Sequence, residues 1–267
     1  MPKLEVLIAA QGIRNQEELP PVAKQVLTQG AEGLMINQMK DGPRFESPSE
    51  NLRILHFSEK GISKSRNRAL ENARGEILLF TDEDVELLDG FSETIIQAFD
   101  NHPEADLITF QCLNQRREKR KKYPKEGLRH TLRTLMRVSS VEIAVRRQSL
   151  VRNPLFFDER FGLGGPFPTG SETAFLGDAL RHGFKMMYHP APIVLHPDDS
   201  SGRALFRNQT LLEAKGALFY RIFAWKAYAV CVLFALKKRR ETGLTLLQST
   251  KMMLSGIEQF KASGHDE

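Results

Sequence analysis

The chain has 267 residues, 41% of them hydrophobic and 27% charged, which excludes a disordered chain and leaves enough apolar material for a core. The net charge of +5 sits in two runs: residues 116–126 ("RREKRKKYPKE") carry seven Lys/Arg and two Glu, and residues 237–241 ("KKRRE") add more. A near-neutral body with two basic patches excludes a uniformly basic nucleic-acid coat, and two distant cysteines, Cys112 and Cys231, exclude a disulfide framework and point to a reducing compartment.

In chain order, "LEVLIA" (4–9) predicts a buried strand, in an N-terminal apolar run too short for a secretory signal. Residues 18–30 predict a helix with Pro near its start and Gly30 at its end, and 33–37 and 51–57 predict strands. A helix is expected over 62–75, capped by Ser63 and stopped by Gly75. Strand 76–81, helix 92–102 and strand 105–110 follow. This alternation argues for an α/β fold with a largely parallel sheet, in which ligands bind beyond the carboxyl ends of the strands. The basic stretch 111–137 reads as a mobile loop with a helix near 127–138, and 141–147 returns to strand. "FGLGGPFPTGS" (161–171) holds four Gly and two Pro and must take unusual backbone angles. A helix from Glu172 to Gly183 and two short strands, "KMMYH" and "IVLH", complete this part. From Arg203 the chain is strongly apolar, but its uncharged run Ala227–Leu236 has ten residues, against about 20 for a span. It reads as an amphipathic helix packed on the domain or lying at a membrane interface, with Trp225 and the Lys237–Arg240 cluster at the lipid surface.

The apolar strand ending at Phe80 runs straight into Asp82, Glu83, Asp84 and Glu86. Crowded carboxylates repel. They are either solvated at a strand end or gathered for a hard cation, which takes one or two carboxylates plus substrate phosphates. An isolated Asp-x-Asp pair occurs by chance in many surface turns. At the end of a buried strand in an α/β sheet it carries more weight.

The ordered set "GISKSRNRALENARGEILLFTDEDV" and "FDERFGLGGPFPTGSETAFLGDALRHGFKMMYHPAPIVLH" resembles the core and acceptor-side motifs of family 2 glycosyltransferases of the bacterial surface-polysaccharide type, over residues 3–110 and 141–200. The resemblance implies a GT-A nucleotide-diphospho-sugar transferase fold, with a catalytic domain over 1–202 (nucleotide-sugar half 1–110, acceptor half 111–202) and a C-terminal helical segment over 203–267. It implies donor-binding roles for Ala9, Ala10, Gln11, Asn37, Arg66, Asn67 and Asp82. Asp84, with Asp82 and His196, would hold Mg²⁺ or Mn²⁺. Glu172 stands where the family has an acceptor-activating acid, although the usual Glu-Asp is here Ser171-Glu172. Asn37 and Gln38 replace an acidic residue that often contacts the base, so the donor base stays open, with a UDP-sugar foremost.

Each assignment has a bland alternative. Arg66 could pair with Glu71 on a helix surface, Glu172 could merely complement a helix dipole, and His196 could be structural. The function expected is an inverting, metal-dependent transfer of sugar to a sugar or lipid-linked acceptor hydroxyl, in the cytoplasm or at the inner membrane face, with no nucleic-acid partner. Two other classes compete. A sugar-nucleotide nucleotidyltransferase would want a Gly-rich, basic loop after the first strand, which "AAQGIRNQ" supplies poorly. A non-catalytic membrane- or nucleic-acid-docking protein leaves Asp82, Asp84 and Glu172 without a role.

Overall fold

Leu4 to Ala10 are buried without interruption, as a strand covered by helices on both faces must be. The computed structural model describes residues 2–29, 31–197 and 208–264. Its elements are β1 (Leu4–Gln11), α1 (Pro21–Gln29), β2 (Glu32–Gln38), β3 (Leu52–Phe57), α2 (Ile62–Asn72), β4 (Ile77–Asp82), β5 (Glu86–Leu87), α3 (Phe91–Asn101), β6 (Leu107–Leu113), β7 (Leu128–Arg129), α4 (Leu132–Leu135), β8 (Ile143–Arg146), α5 (Arg147–Arg152), α6 (Ser171–Arg181), β9 (Met186–Leu195), α7 (Gln209–Phe223), α8 (Ala227–Thr242) and α9 (Leu246–Ala262).

The strand order is β3-β2-β1-β4-β8-β6-β9-β5, with β7 on β9. The long strands β1, β2, β3, β4, β6 and β9 all run one way. β8 enters antiparallel between β4 and β6, and the two-residue β5 and β7 add antiparallel to β9. This is a mostly parallel sheet of the expected α/β class. On one face Val22, Val26, Ile95 and Phe99 of α1 and α3 pack over Val6, Ile8 and Leu79. On the other, Ala69 of α2 and Phe175, Leu176 and Ala179 of α6 pack over Leu7, Leu78 and Phe80. The parallel strands direct their carboxyl ends, and the N-termini of α2 and α6, to one side.

Several local expectations change. Gly61, not Ser63, occupies the N-cap of α2; Ser63 donates instead to the Phe161 carbonyl at 2.6 Å. Gly75 does not stop that helix, which ends at Asn72. The Gly75 and Arg74 amides donate to the buried Glu5 carboxylate at 2.8 and 2.6 Å, and Arg53 pairs with the same group at 2.7 Å. The two strands expected over 185–196 are one, β9. Its pairing with β6 is irregular around Gln111 and Pro192, the kind of place where a strand tolerates a residue with no N–H to donate. The helix expected near 127–138 shrinks to the single turn α4, preceded by β7. The basic stretch is anchored rather than loose: Lys121 Nζ reaches Glu142 at 2.7 Å and the Arg137 carbonyl, and Tyr123 Oη donates to Glu142 at 2.5 Å. Gly30, the expected stop of α1, and the expected domain boundary at 202/203 lie outside the described residues.

The C-terminal helices pack on the acceptor half. Arg221 of α7 bonds Asp158 at 3.2 Å and Asp178 at 2.6 Å, and Phe260 of α9 packs against Phe161 and Phe167. Gly216 of α7 and Gly256 of α9 meet where the helices cross: a Cβ on Gly216 would stand 1.8 Å from the Met253 carbonyl oxygen, and one on Gly256 1.9 Å from that of Glu213.

Candidate active site

A cleft of ≈ 1230 Å³ opens at the carboxyl ends of the parallel strands. The ends of β1 and β4 supply Ala9, Ala10, Gln11 and Asp82. The α2 start supplies Gly61 and Arg66, the α6 start Ser171 and Glu172, the end of β9 His196, and α7 Lys215. Residues far apart in sequence thus meet because parallel strands and two helix N-termini deliver them to one edge.

Arg66 organises the floor. Its side chain is 6% exposed, which removes the surface-helix alternative; Arg68 is the residue that pairs with Glu71 and Glu59. Arg66 Nη2 donates to Asp82 Oδ1 at 2.8 Å and to Ser140 Oγ at 2.8 Å. Its Nη1 donates to Ser171 Oγ at 3.1 Å, and Ser171 Oγ in turn donates to Glu172 Oε2 at 3.2 Å. A continuous chain, Asp82–Arg66–Ser171–Glu172, therefore joins the strand-end acid to the acid on α6. A buried guanidinium suits this task because its planar fork holds several acceptors in fixed geometry.

The acids after β4 divide their work. Asp82 turns to Arg66 and to Ser140, whose hydroxyl lies 3.4 Å from Oδ2. Glu83, which the sequence left without a role, accepts the Gln11 amide at 3.0 Å. Burial pushes its pKa up, the Gln11 bond opposes this, and Asp84 and Asp82 push it further up. Asp84 stays half exposed, with Oδ1 3.9 Å from His196 Nε2. His196 Nδ1 lies 2.9 Å from the Pro197 carbonyl, which can only accept. That contact makes Nδ1 the donor and leaves Nε2 facing the Asp84 carboxylate. The 3.9 Å between them leaves room for a shared cation. No cluster of three or more His, Cys, Asp or Glu able to hold a metal occurs among the described residues. Asp84 and His196 fit a divalent ion only as a partial shell completed by phosphates and water, the habit of Mg²⁺. Asp82, the third residue of the expected set, is engaged by Arg66 and Ser140.

Two expected donor contacts lie elsewhere. Asn37 is fully buried and does not line the cleft; its side chain accepts from the Ile13 amide at 3.1 Å and donates to the Ile13 carbonyl at 2.6 Å, fixing the turn after β1. Asn67 also faces away, clamping the Phe157 backbone from both sides at 2.7 and 3.0 Å. Gln38, next to Asn37, does line the cleft and holds the Gly61 backbone at 3.0 and 3.1 Å.

The Gly-rich segment shapes the opposite wall. Gly162, Gly164 and Gly170 all have positive φ, as the Gly and Pro content predicted. Gly170, at φ 90, is the N-cap of α6. A Cβ there would also stand 2.6 Å from the Leu218 side chain of α7, which would have to shift. Sequence reasoning missed Ser140 and Lys215, which belong to no motif, and gave no role to Ser171, noted only as the residue in place of the usual Glu.

The family model described as Glycosyl transferase family 2 matches residues 43–157, the stretch from before β3 through Arg66, Asp82 and Asp84 to Phe157. No curated protein sequence matches the chain. Among solved structures, residues 1–349 of S. aureus TarS align over 99% of this chain and 93% of that one at 14% identity, with a TM-score of 0.57 for the complex with UDP. The same fragment with UDP-GlcNAc gives the same coverage, a TM-score of 0.57 and 13% identity. A longer TarS structure aligns over 98% of this chain and 55% of its own length, at 13% identity and a TM-score of 0.59. Fold, cleft and family match point the same way: residues 43–157 match a glycosyltransferase model, and the chain as a whole has the fold of these solved structures. The resemblance drawn from the Arg-Asn and Asp-x-Asp motifs is to family 2, and that is the family whose model residues 43–157 match.

Proposed function

We propose that the chain transfers a sugar, with inversion, from a nucleotide-diphospho-sugar, foremost a UDP-sugar, to a hydroxyl of a sugar or lipid-linked acceptor in cell-surface polysaccharide or glycolipid assembly. The observation that carries this reading is the Asp82–Arg66–Ser171–Glu172 chain across the cleft. TarS structures of the same fold hold UDP and UDP-GlcNAc, which supports a uridine donor here.

Ala9, Ala10 and Gln11 would border the nucleoside and Asp82, held by Arg66, its ribose. The N-termini of α2 and α6 favour negative charge between them. Asp84 and His196 would hold Mg²⁺ or Mn²⁺. When bound, that ion supplies charge stabilisation for the departing diphosphate. Glu172 would take the proton of the acceptor hydroxyl as its oxygen attacks the anomeric carbon and the bond to the diphosphate breaks. An inverting displacement needs a base and no protein nucleophile. Ser171 donates to one oxygen of Glu172, which orients the carboxylate so that the other oxygen can serve as the base. Glu142 is buried and engaged by Lys121 and Tyr123, so it supports the wall and not the chemistry. Cys112 and Cys231 are free and buried, which supports a reducing, cytoplasmic setting.

The test is turnover against binding. With a panel of UDP-sugars and glycan or lipid-linked acceptors, Glu172→Gln is expected to lower kcat by about 10²–10⁴ while UDP affinity stays within about twofold. Undiminished turnover in Glu172→Gln would remove the proposed base.

A further inference from the structure

The structure turns a row of apolar side chains on α8 outward. Trp225, just before the helix, is 74% exposed, Leu233 65% and Leu236 52%, with Val232 at 39%. Positions 229, 232, 233 and 236 recur at the spacing of one helix face, over about 16 Å from Trp225 to Leu236. The opposite face of α8 is apolar too: Ala227, Cys231 and Ala235 are buried and Phe234 packs edge-on to Phe219 of α7. The helix is therefore two-faced through Leu236, not amphipathic as its sequence suggested. One side is spent on α7 and α9, and the other is left to solvent. Cations bracket the outward row, with Lys226 at its start and Lys237, Arg239 and Arg240 exposed at its end. Lys238 pairs with Glu241 at 2.7 Å.

We propose that this outward face of α8 is a docking surface for a membrane leaflet rich in anionic lipid. An indole at one end, branched aliphatics between and a basic cluster at the other match an interface where acyl chains meet negative headgroups. Charge complementarity selects lipid over a second copy of the chain, since two such faces would bring their basic clusters together. The stretch Gln209–Thr242 is long and apolar enough to cross a membrane by composition, but its first half is committed to the protein. Leu212, Ala217, Leu218 and Phe219 are buried and Arg221 is ion-paired to Asp158 and Asp178. Ala224, at φ 48, separates α7 from α8. The helix lies on the surface and does not span it.

Co-sedimentation of the full chain with phosphatidylglycerol vesicles and with phosphatidylcholine vesicles tests this, alongside light scattering over a range of protein concentrations. The wild type is expected to pellet with the anionic vesicles and to stay in solution with the neutral ones. Leu233→Gln/Leu236→Gln should weaken that partitioning by at least about tenfold, and removing each of Lys237 and Arg240 by roughly fivefold. Both side chains of the double variant are exposed and outside the cleft, so UDP binding should be unchanged and certifies its fold. Wild type that ignores anionic vesicles overturns the proposal, as does binding that the Leu233/Leu236 variant retains. A concentration-dependent dimer abolished by that variant would assign the face to a second copy and likewise overturn it.

Discussion

Arg66 shows how much of the site hangs on one side chain. It is buried, it binds Asp82, Ser140 and Ser171 at once, and through Ser171 it touches the orientation of Glu172. Lysine at this position keeps the charge but has a single nitrogen and cannot reproduce the fork. Arg66→Lys should therefore lower kcat about tenfold or more. The double variant Arg66→Lys/Glu172→Gln should be little slower than Glu172→Gln alone, because the lost chain ends on the lost base. Additive effects in that cycle would contradict the coupling. At this scale the sequence was partly legible. Arg66, Asp82, Asp84 and Glu172 carry charge in a recognisable order, and all reach the cleft. Asn37 and Asn67 do not, because an amide bonds a nucleotide base and a backbone peptide equally well, and only the fold decides which is near. The bonds through Ser140 and Ser171 could not be read, since a hydroxyl's partner is set by three-dimensional proximity alone.

Among the elements, the strands and helices of the first 110 residues follow from hydrophobic period, and their boundaries shift by a few residues at most. What the period could not reveal is contact between distant segments. The crossing of α7 and α9 depends on Gly216 and Gly256, forty residues apart and unremarkable in sequence. Each faces the partner's backbone, which cannot move aside as a flexible side chain could. Gly216→Ala should destabilise the protein by about 3 kcal/mol, read as a lowered denaturation midpoint with an unchanged slope. A midpoint within experimental error of wild type would show that the helices cross elsewhere. Because Leu218 of the same helix abuts Gly170 at the start of α6 and Lys215 lines the cleft, a shift of α7 should also raise KM. The two-faced character of α8 was equally hidden, since an uncharged run does not say which side the protein covers.

For the molecule as a whole, acid sensitivity should follow from His130. Its ring lies 2.7 Å from Thr109 Oγ1 and 3.0 Å from Thr134 Oγ1. Burial, helped by the charge of Lys121, lowers its pKa from 6.5 to about 4. Between those values the unfolded chain binds the proton and the folded one does not. Stability is therefore complete above pH 6.5, falls as the pH drops toward 4, and loses on the order of 3 kcal/mol from this group. Asp158 extends the loss further down. Burial works against its charge, but Arg160 and then Arg221 hold its carboxyl below the ordinary 3.8, so its contribution is present above that value and disappears beneath it. Urea midpoints from pH 4 to 7 should slope for the wild type and flatten between 4 and 6.5 in His130→Gln; an equal slope in both would place the sensitivity elsewhere.

The central claim is that the edge where β1, β4, α6 and β9 converge binds a nucleotide-diphospho-sugar with Asp84 and His196 at its diphosphate. Calorimetric titration of UDP, with GDP beside it, into wild type and Asp84→Ala, each with and without Mn²⁺, tests it most directly. The account predicts UDP binding that Mn²⁺ strengthens at least about tenfold, lost in Asp84→Ala with the fold intact. No UDP binding in the presence of Mn²⁺, or binding indifferent to both the ion and Asp84, would contradict it.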